Sequence, residues 1–209
     1  MEPKSIDWAG LEEPQEIAHE FEIDLHNAVI ANHNAMLEGI DREEESELLD
    51  IKDGFRLEDH ETVGSMLGYV QSGYDERRQK GRLSAVVVIV TRLEQWISRF
   101  ATHLKVKPAR VKKNGLANLI EALNNVLGDG PVPTEFFEDL AELRHSVVHA
   151  NSRAEWNFKG QRRRVADCYR NSWDDAELSE EQLKEAIQKT IEHVKWYDEK
   201  IQAKPALCP

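Results

Sequence analysis

Arg144, His145 and His149 stand in the run Leu143-Arg-His-Ser-Val-Val-His149, and these are residue types that phosphate chemistry uses. A guanidinium stays charged and presents a flat fork of donors that fits phosphate oxygens two at a time. An imidazole titrates near neutral pH, so it can take a proton in one step and return one in the next. Glu94 lies on an earlier, otherwise apolar helical stripe, where a buried carboxylate would need a cation, and Arg144 can be that cation. Two other readings stay open. His145 and His149 are four residues apart, as in a helical metal pair, with Glu142 as a third ligand and Cys168 as the obvious fourth donor. Alternatively, both are plain surface histidines.

The elements that must position these residues read as helix after helix. Phe136, Leu140, Leu143 and Val147 form a stripe at helical spacing, which begins after Pro133 with Thr134 as the expected N-cap. Upstream, Ile17, Phe21, Leu25, Ala28, Val29 and Met36 mark one face of a helix over about 12–37, with His19, His26 and His33 on the opposite, wet side. Short helices are expected around 43–52 and 58–72, near Gly54, Gly64, Gly68 and Gly73. The run Val86–Val90 is β-branched, yet Val90, Leu93, Ile97, Phe100 and Leu104 extend its stripe, so 75–104 reads as a central buried helix. Another helix, over 115–127, stops at Gly128-Asp-Gly-Pro131.

After the Arg–His run, Ala154–Phe158, a Lys-Gly-Gln turn and Arg164–Tyr169 suggest a small β-hairpin. The closing helix has a capping box in Ser179 and Gln182, a staple in Leu178 and Leu183, and a buried face of Leu183, Ile187, Ile191, Val194, Tyr197 and Ile201. The expected fold is all-α, a helical bundle with an acidic extension over 1–74, a core over 75–202, a tail over 203–209 and the small hairpin after the Arg–His helix.

Charge supplies the next signal. The 209 residues carry a net −12, which argues against a general nucleic-acid coat protein while leaving room for a local basic site. Residues 38–61 hold 11 acids and 3 bases. Two segments run the other way. Lys105, Lys107, Arg110, Lys112 and Lys113 fall together, and Arg162, Arg163 and Arg164 sit in a stretch that also holds Arg153, Lys159 and Arg170. Such runs are solvated faces or contacts for a phosphate-bearing partner, and Trp156 and Phe158 beside the arginines either stack single-stranded bases or cap a core. Two cysteines make no disulfide framework, the first residues have no export-signal pattern, and the longest apolar run is too short to span a bilayer. A soluble, cytoplasmic protein without membrane contact is expected.

The Arg144, His145, His149 run resembles the signature of the HEPN domains, helical bundles that often act as metal-independent ribonucleases. That signature is an Arg, a polar residue, three further residues and a His near the end of a core helix. The similarity covers roughly 75–202, and many members carry an acid facing the motif, a place that Glu94 takes here. It implies RNA as substrate, pairing into a homodimer, no cofactor and an antitoxin or other regulatory partner. One branch carries a Tyr two residues after the motif His, where this chain has Asn151.

Residues five apart on an ideal helix point about 140° from one another. With the stripe inward, Arg144 lies at the core edge while His145 and His149 share the side of Glu138 and Glu142. They cannot converge on one phosphate unless the helix bends or a second copy completes the site. Two function classes follow. One is an endoribonuclease acting on single-stranded RNA as a toxin or antiphage effector, with Arg144, His149, His145 and Glu94 catalytic and Arg162, Arg163, Arg164, Lys112 and Lys113 binding RNA. The alternative is a non-catalytic helical module for dimerisation or partner binding.

Overall fold

The computed structural model describes residues 16–54, 60–106 and 115–203. Its elements in chain order are α1 (Glu16–Leu25), a single π-helical turn (His26–Ile30), α2 (Ala31–Gly54), α3 (His60–His103), α4 (Gly115–Leu127), α5 (Thr134–His149), β1 (Glu155–Phe158), β2 (Gln161–Arg164), a 3-10 turn (Asp167–Tyr169) and α6 (Glu180–Ala203). Among the described residues no helix is long and apolar enough to cross a membrane.

The core forms around α3. Leu93, Ile97 and Phe100 are fully buried among Leu116, Ile120 and Leu123 of α4, Phe137, Leu140 and Leu143 of α5, and Val194 and Tyr197 of α6. Burying such side chains is worth roughly 1.5–3 kcal/mol each, so these stripes set the helix order. Gly128 ends α4 with φ +100°, a left-handed value that suits glycine, and its N–H donates to the Asn124 carbonyl. Gly130 packs so closely on the His193 ring that a Cβ there would collide with it.

The N-terminal half differs from the sequence reading. Instead of short helices around 43–52 and 58–72, α2 reaches Gly54 and α3 is a single helix of 44 residues. It runs without a break through Gly64, Gly68, Gly73 and the 74/75 boundary. Each helical glycine costs about 1 kcal/mol against alanine, and just beyond the last of them side chains bridge α2 and α3. Arg77 pairs with Glu43 at 2.7 Å, Arg78 with Asp41 at 2.7 Å and also with Glu44, and the Tyr74 hydroxyl donates to Glu47 at 2.8 Å. Nearer the core, Gly81 lets the helices close, because a Cβ there would collide with Met36.

The π turn explains a second difference. His19 and His26 are exposed, but His33 is buried and not on a wet face. A π turn is wider than an α turn, so it advances the helix more slowly around its axis and rotates His33 toward the side of Phe21, Leu25 and Val29.

The closing helix follows expectation. Ser179 N–H donates to Gln182 Oε1 at 2.8 Å, and Gln182 N–H donates to Ser179 Oγ at 3.1 Å. Leu178 and Leu183 are both buried beside it.

Candidate functional site

α5 starts one residue earlier than expected. Thr134 is its first residue, and Pro133 stands at the cap with no side-chain hydrogen bond. Its buried stripe is Phe137, Leu140, Ala141, Leu143 and Ser146, while Phe136 and Val147 are only partly buried. The sequence offers two adjacent phenylalanines, and the structure selects the second.

The last turns of α5 carry Arg144, His145 and His149 into two different neighbourhoods. Arg144 turns toward α3, where its Nη1 lies 3.6 Å from Glu94 Oε2. Both side chains are about three-tenths exposed, so Glu94 is half-buried. The Arg144 Nε is buried without a hydrogen-bond partner among the described residues. Such an ion pair contributes modestly to stability, since desolvation offsets much of its attraction. Its effect is to hold the guanidinium at the edge of the core.

His145 and His149 lie instead on the side covered by the β-hairpin. The chain reaches that side through a tight reversal. Asn151 and Ser152 have φ +52° and +63°, and Asn is among the few residues that adopt the left-handed region readily. Ser146, fully buried, donates its hydroxyl to the Arg153 carbonyl at 2.7 Å and accepts the Ala150 and Ser152 N–H groups at its own carbonyl. The strands then pair Glu155 with Arg164, Trp156 with Arg163, Asn157 with Arg162 and Phe158 with Gln161. Their two-residue turn has positive φ at Lys159 and Gly160, which matches the right-handed twist of the strands.

The period of two in a strand splits the arginine run. Arg163 faces α5, while Arg162 and Arg164 face solvent. The three consecutive arginines are therefore not one patch. Arg163 Nη1 lies 3.2 and 3.4 Å from the two Glu142 oxygens and 3.5 Å from His145 Nδ1. Arg162 pairs with Glu155, which Arg170 also meets at 3.4 Å. Lys112 and Lys113 lie outside the described residues.

Stacking completes the arrangement. The His145 and His149 rings are 5.7 Å apart at 25°, and the Phe158 ring lies 5.1 Å from His149 at 30°. Arg163 and Lys159 stand 5.5 and 5.2 Å from the Phe158 centroid. Trp156 packs against the core, the capping role that aromatics in a hairpin often take. Phe158 was missed as a partner of the histidines, because no sequence spacing relates a hairpin to the preceding helix.

Burial is the main influence on His145 and pushes its pKa below the ordinary value; the charges of Arg163, Arg144 and His149 act the same way, against Glu142. A guanidinium can only donate, so Arg163 can hydrogen-bond neutral His145 only in the tautomer with its lone pair on Nδ1. His149 is exposed. The arrangement therefore offers a half-buried neutral imidazole, an accessible imidazole and guanidiniums on either side. Among the described residues no group of three or more His, Cys, Asp or Glu could hold a metal ion, and Glu142, the third ligand suggested by spacing, is engaged by Arg163.

No protein-family model, curated protein or solved structure matches the chain.

Proposed function

We propose that the chain is a metal-independent endoribonuclease of the HEPN type, cleaving single-stranded RNA in the cytoplasm as a toxin or antiphage effector. The observation that carries this reading is the clustering of His145, His149, Phe158 and Arg163 at the end of α5, with Arg144 fixed by Glu94 on the adjacent side. RNA carries its own nucleophile. The 2′-oxygen forms a bond to phosphorus as the bond from phosphorus to the 5′-oxygen breaks. One group takes the 2′-OH proton, another protonates the leaving oxygen, and a cation meets the charge on the phosphorane. His149 is the accessible proton-transfer group, and His145 is a second imidazole beside it.

Arg144 and the histidines of one chain face apart, which favours a homodimer that brings a second set of side chains to the phosphate. The same chain's hairpin lies over Glu142 and His145, so the partner must approach at His149 and at Val148, which is half exposed. An antitoxin or other regulatory protein would restrain such a site. The test is cleavage of single-stranded RNA in EDTA with analysis of the ends. The expected products carry a 2′,3′-cyclic phosphate and a 5′-hydroxyl. A strict need for a divalent ion contradicts the reading.

One observation favours the non-catalytic alternative. Arg144 is held by Glu94 and Arg163 by Glu142, so both cations also serve the fold. Expression of the wild-type chain without growth arrest, together with inert RNA, would support a binding module.

A further inference from the structure

A groove of about 480 Å³ opens on the opposite flank, between the π turn with α2 on one side and α6 on the other. Its origin lies in the local backbone. α1 packs along α6, with the Ala18 N–H donating to Asp198 Oδ2 at 3.1 Å and Lys195 pairing with Glu22 at 2.9 Å. Beyond the π turn, α2 turns to α3 instead. The chain thus leaves α6, and Ile30 and Leu37 face Ile187 and Ile191 across an unfilled space. These four residues are only partly buried, although the two isoleucines of α6 were expected in the core. Single π turns inside helices are frequent at functional sites.

His33 lines this groove. It is 9% exposed, and neither Nδ1 nor Nε2 has a hydrogen-bond partner among the described residues. A buried polar group without a partner is destabilising, and a ligand that bonds to it recovers that loss. Burial, then the Arg82 charge, hold His33 below its ordinary pKa against the pull of Glu180, so the ring is neutral near pH 7. A neutral imidazole presents one N–H and one lone pair. The rims carry the pairs Glu22–Lys195 and Glu180–Lys184, each with zero net charge, so neither attracts an ionic head.

We propose that this groove binds a small amphipathic molecule, with an elongated apolar body along Ile30, Leu37, Ile187 and Ile191 and an uncharged head, a hydroxyl or amide, that makes one hydrogen bond with a ring nitrogen of His33. The volume falls within the roughly 300–1,000 Å³ of small-molecule clefts. The site stands apart from the Arg144–His149 end of α5 and does not rest on ribonuclease activity.

The test uses N-phenyl-1-naphthylamine, a neutral fluorophore that brightens in apolar sites, on the full chain. It should bind saturably at one per chain. 1-Octanol should displace it about fivefold more effectively than 1-chlorooctane, the scale of one net hydrogen bond of about 1 kcal/mol. His33→Phe should abolish that preference while keeping the fluorophore bound, and Ile187→Trp should fill the groove and abolish binding, with helical circular dichroism retained in both. In labelled protein, 1-octanol should shift the His33 ring nitrogens. Absence of saturable binding, or an alcohol preference unchanged in His33→Phe, would overturn the proposal. A fluorophore signal that falls on concentration, in step with dimerisation, would assign the groove to a second copy and overturn it as well.

Discussion

Arg144 and His149 are five residues apart, yet one is tied to α3 through Glu94 and the other stacks on Phe158 of the hairpin. This division makes their substitutions separable. Arg144→Lys keeps a charge beside Glu94 but loses the two-pronged donor geometry. It should keep the melting temperature within a few degrees while lowering RNA cleavage by at least about tenfold, the scale of a lost charge-assisted hydrogen bond. A full-rate Lys variant would show that only charge matters there. His193 gives a prediction about stability. It is fully buried against Phe137 and Tyr197, neither ring nitrogen has a partner among the described residues, and burial drops its pKa to about 4. In the unfolded chain an ordinary histidine titrates near 6.5. Between these values the unfolded chain binds the extra proton, so stability is lost as pH falls from about 6.5 to about 4, by up to roughly 3 kcal/mol. Urea midpoints across that range should fall in the wild type, and His193→Leu should flatten that part of the slope. An equally steep slope in the variant would place the titration elsewhere.

At the scale of elements, the hairpin divides the arginines by function. Arg162 and Arg164 face solvent, so replacing both with Ala should weaken RNA binding and flatten its salt dependence, because fewer counterions are released. Arg163→Ala should instead remove its contacts with Glu142 and His145 and lower cleavage more than binding. Equal effects from both changes would contradict the strand register. The cap of α6 is a simpler case: Ser179→Ala should cost about 1 kcal/mol, read as a lower urea midpoint, and no change would show that the box contributes nothing. That cap was legible because it is local, four consecutive residues whose chemistry satisfies the end of a helix. The stripe of α4 was legible for the same reason, and that of α6 as well apart from Ile187 and Ile191, which line the groove. The π turn was not, since nothing in His26–Ile30 marks a wider turn, and His33 was therefore placed on the wrong side. The long α3 was hidden by Gly64, Gly68 and Gly73, and the contacts that join it to α2 lie far apart in the sequence, where no local pattern displays them. At the site, Arg144 and Glu94 could be paired from the sequence by charge and burial. Phe158 over His149 could not, because the reversal at Asn151 and Ser152 decides where the hairpin lands.

For the whole molecule, the proposal asks a net charge of −12 to coexist with phosphate binding at the end of α5. The acidic α2 spends part of its charge on Arg77 and Arg78, and the hairpin cations lie elsewhere, with Arg163 against Glu142 and His145 of α5. A composite site requires two chains, so light scattering at tens of micromolar should find a dimer, and Val148→Glu should shift it toward monomer and lower cleavage together. A monomeric wild type that still cuts RNA would remove the need for a second copy. The central claim is that imidazole and guanidinium, without a metal, break the RNA chain at the end of α5. The most direct measurement is the single-turnover cleavage rate of a single-stranded RNA in EDTA, for the wild type and for a His149→Ala protein whose helical circular dichroism and melting temperature match it. The account predicts cutting by the wild type and a loss of at least about 100-fold in the variant, the scale of general acid–base catalysis. An unchanged rate in the folded variant, or no cleavage by the wild type without a divalent ion, would contradict it.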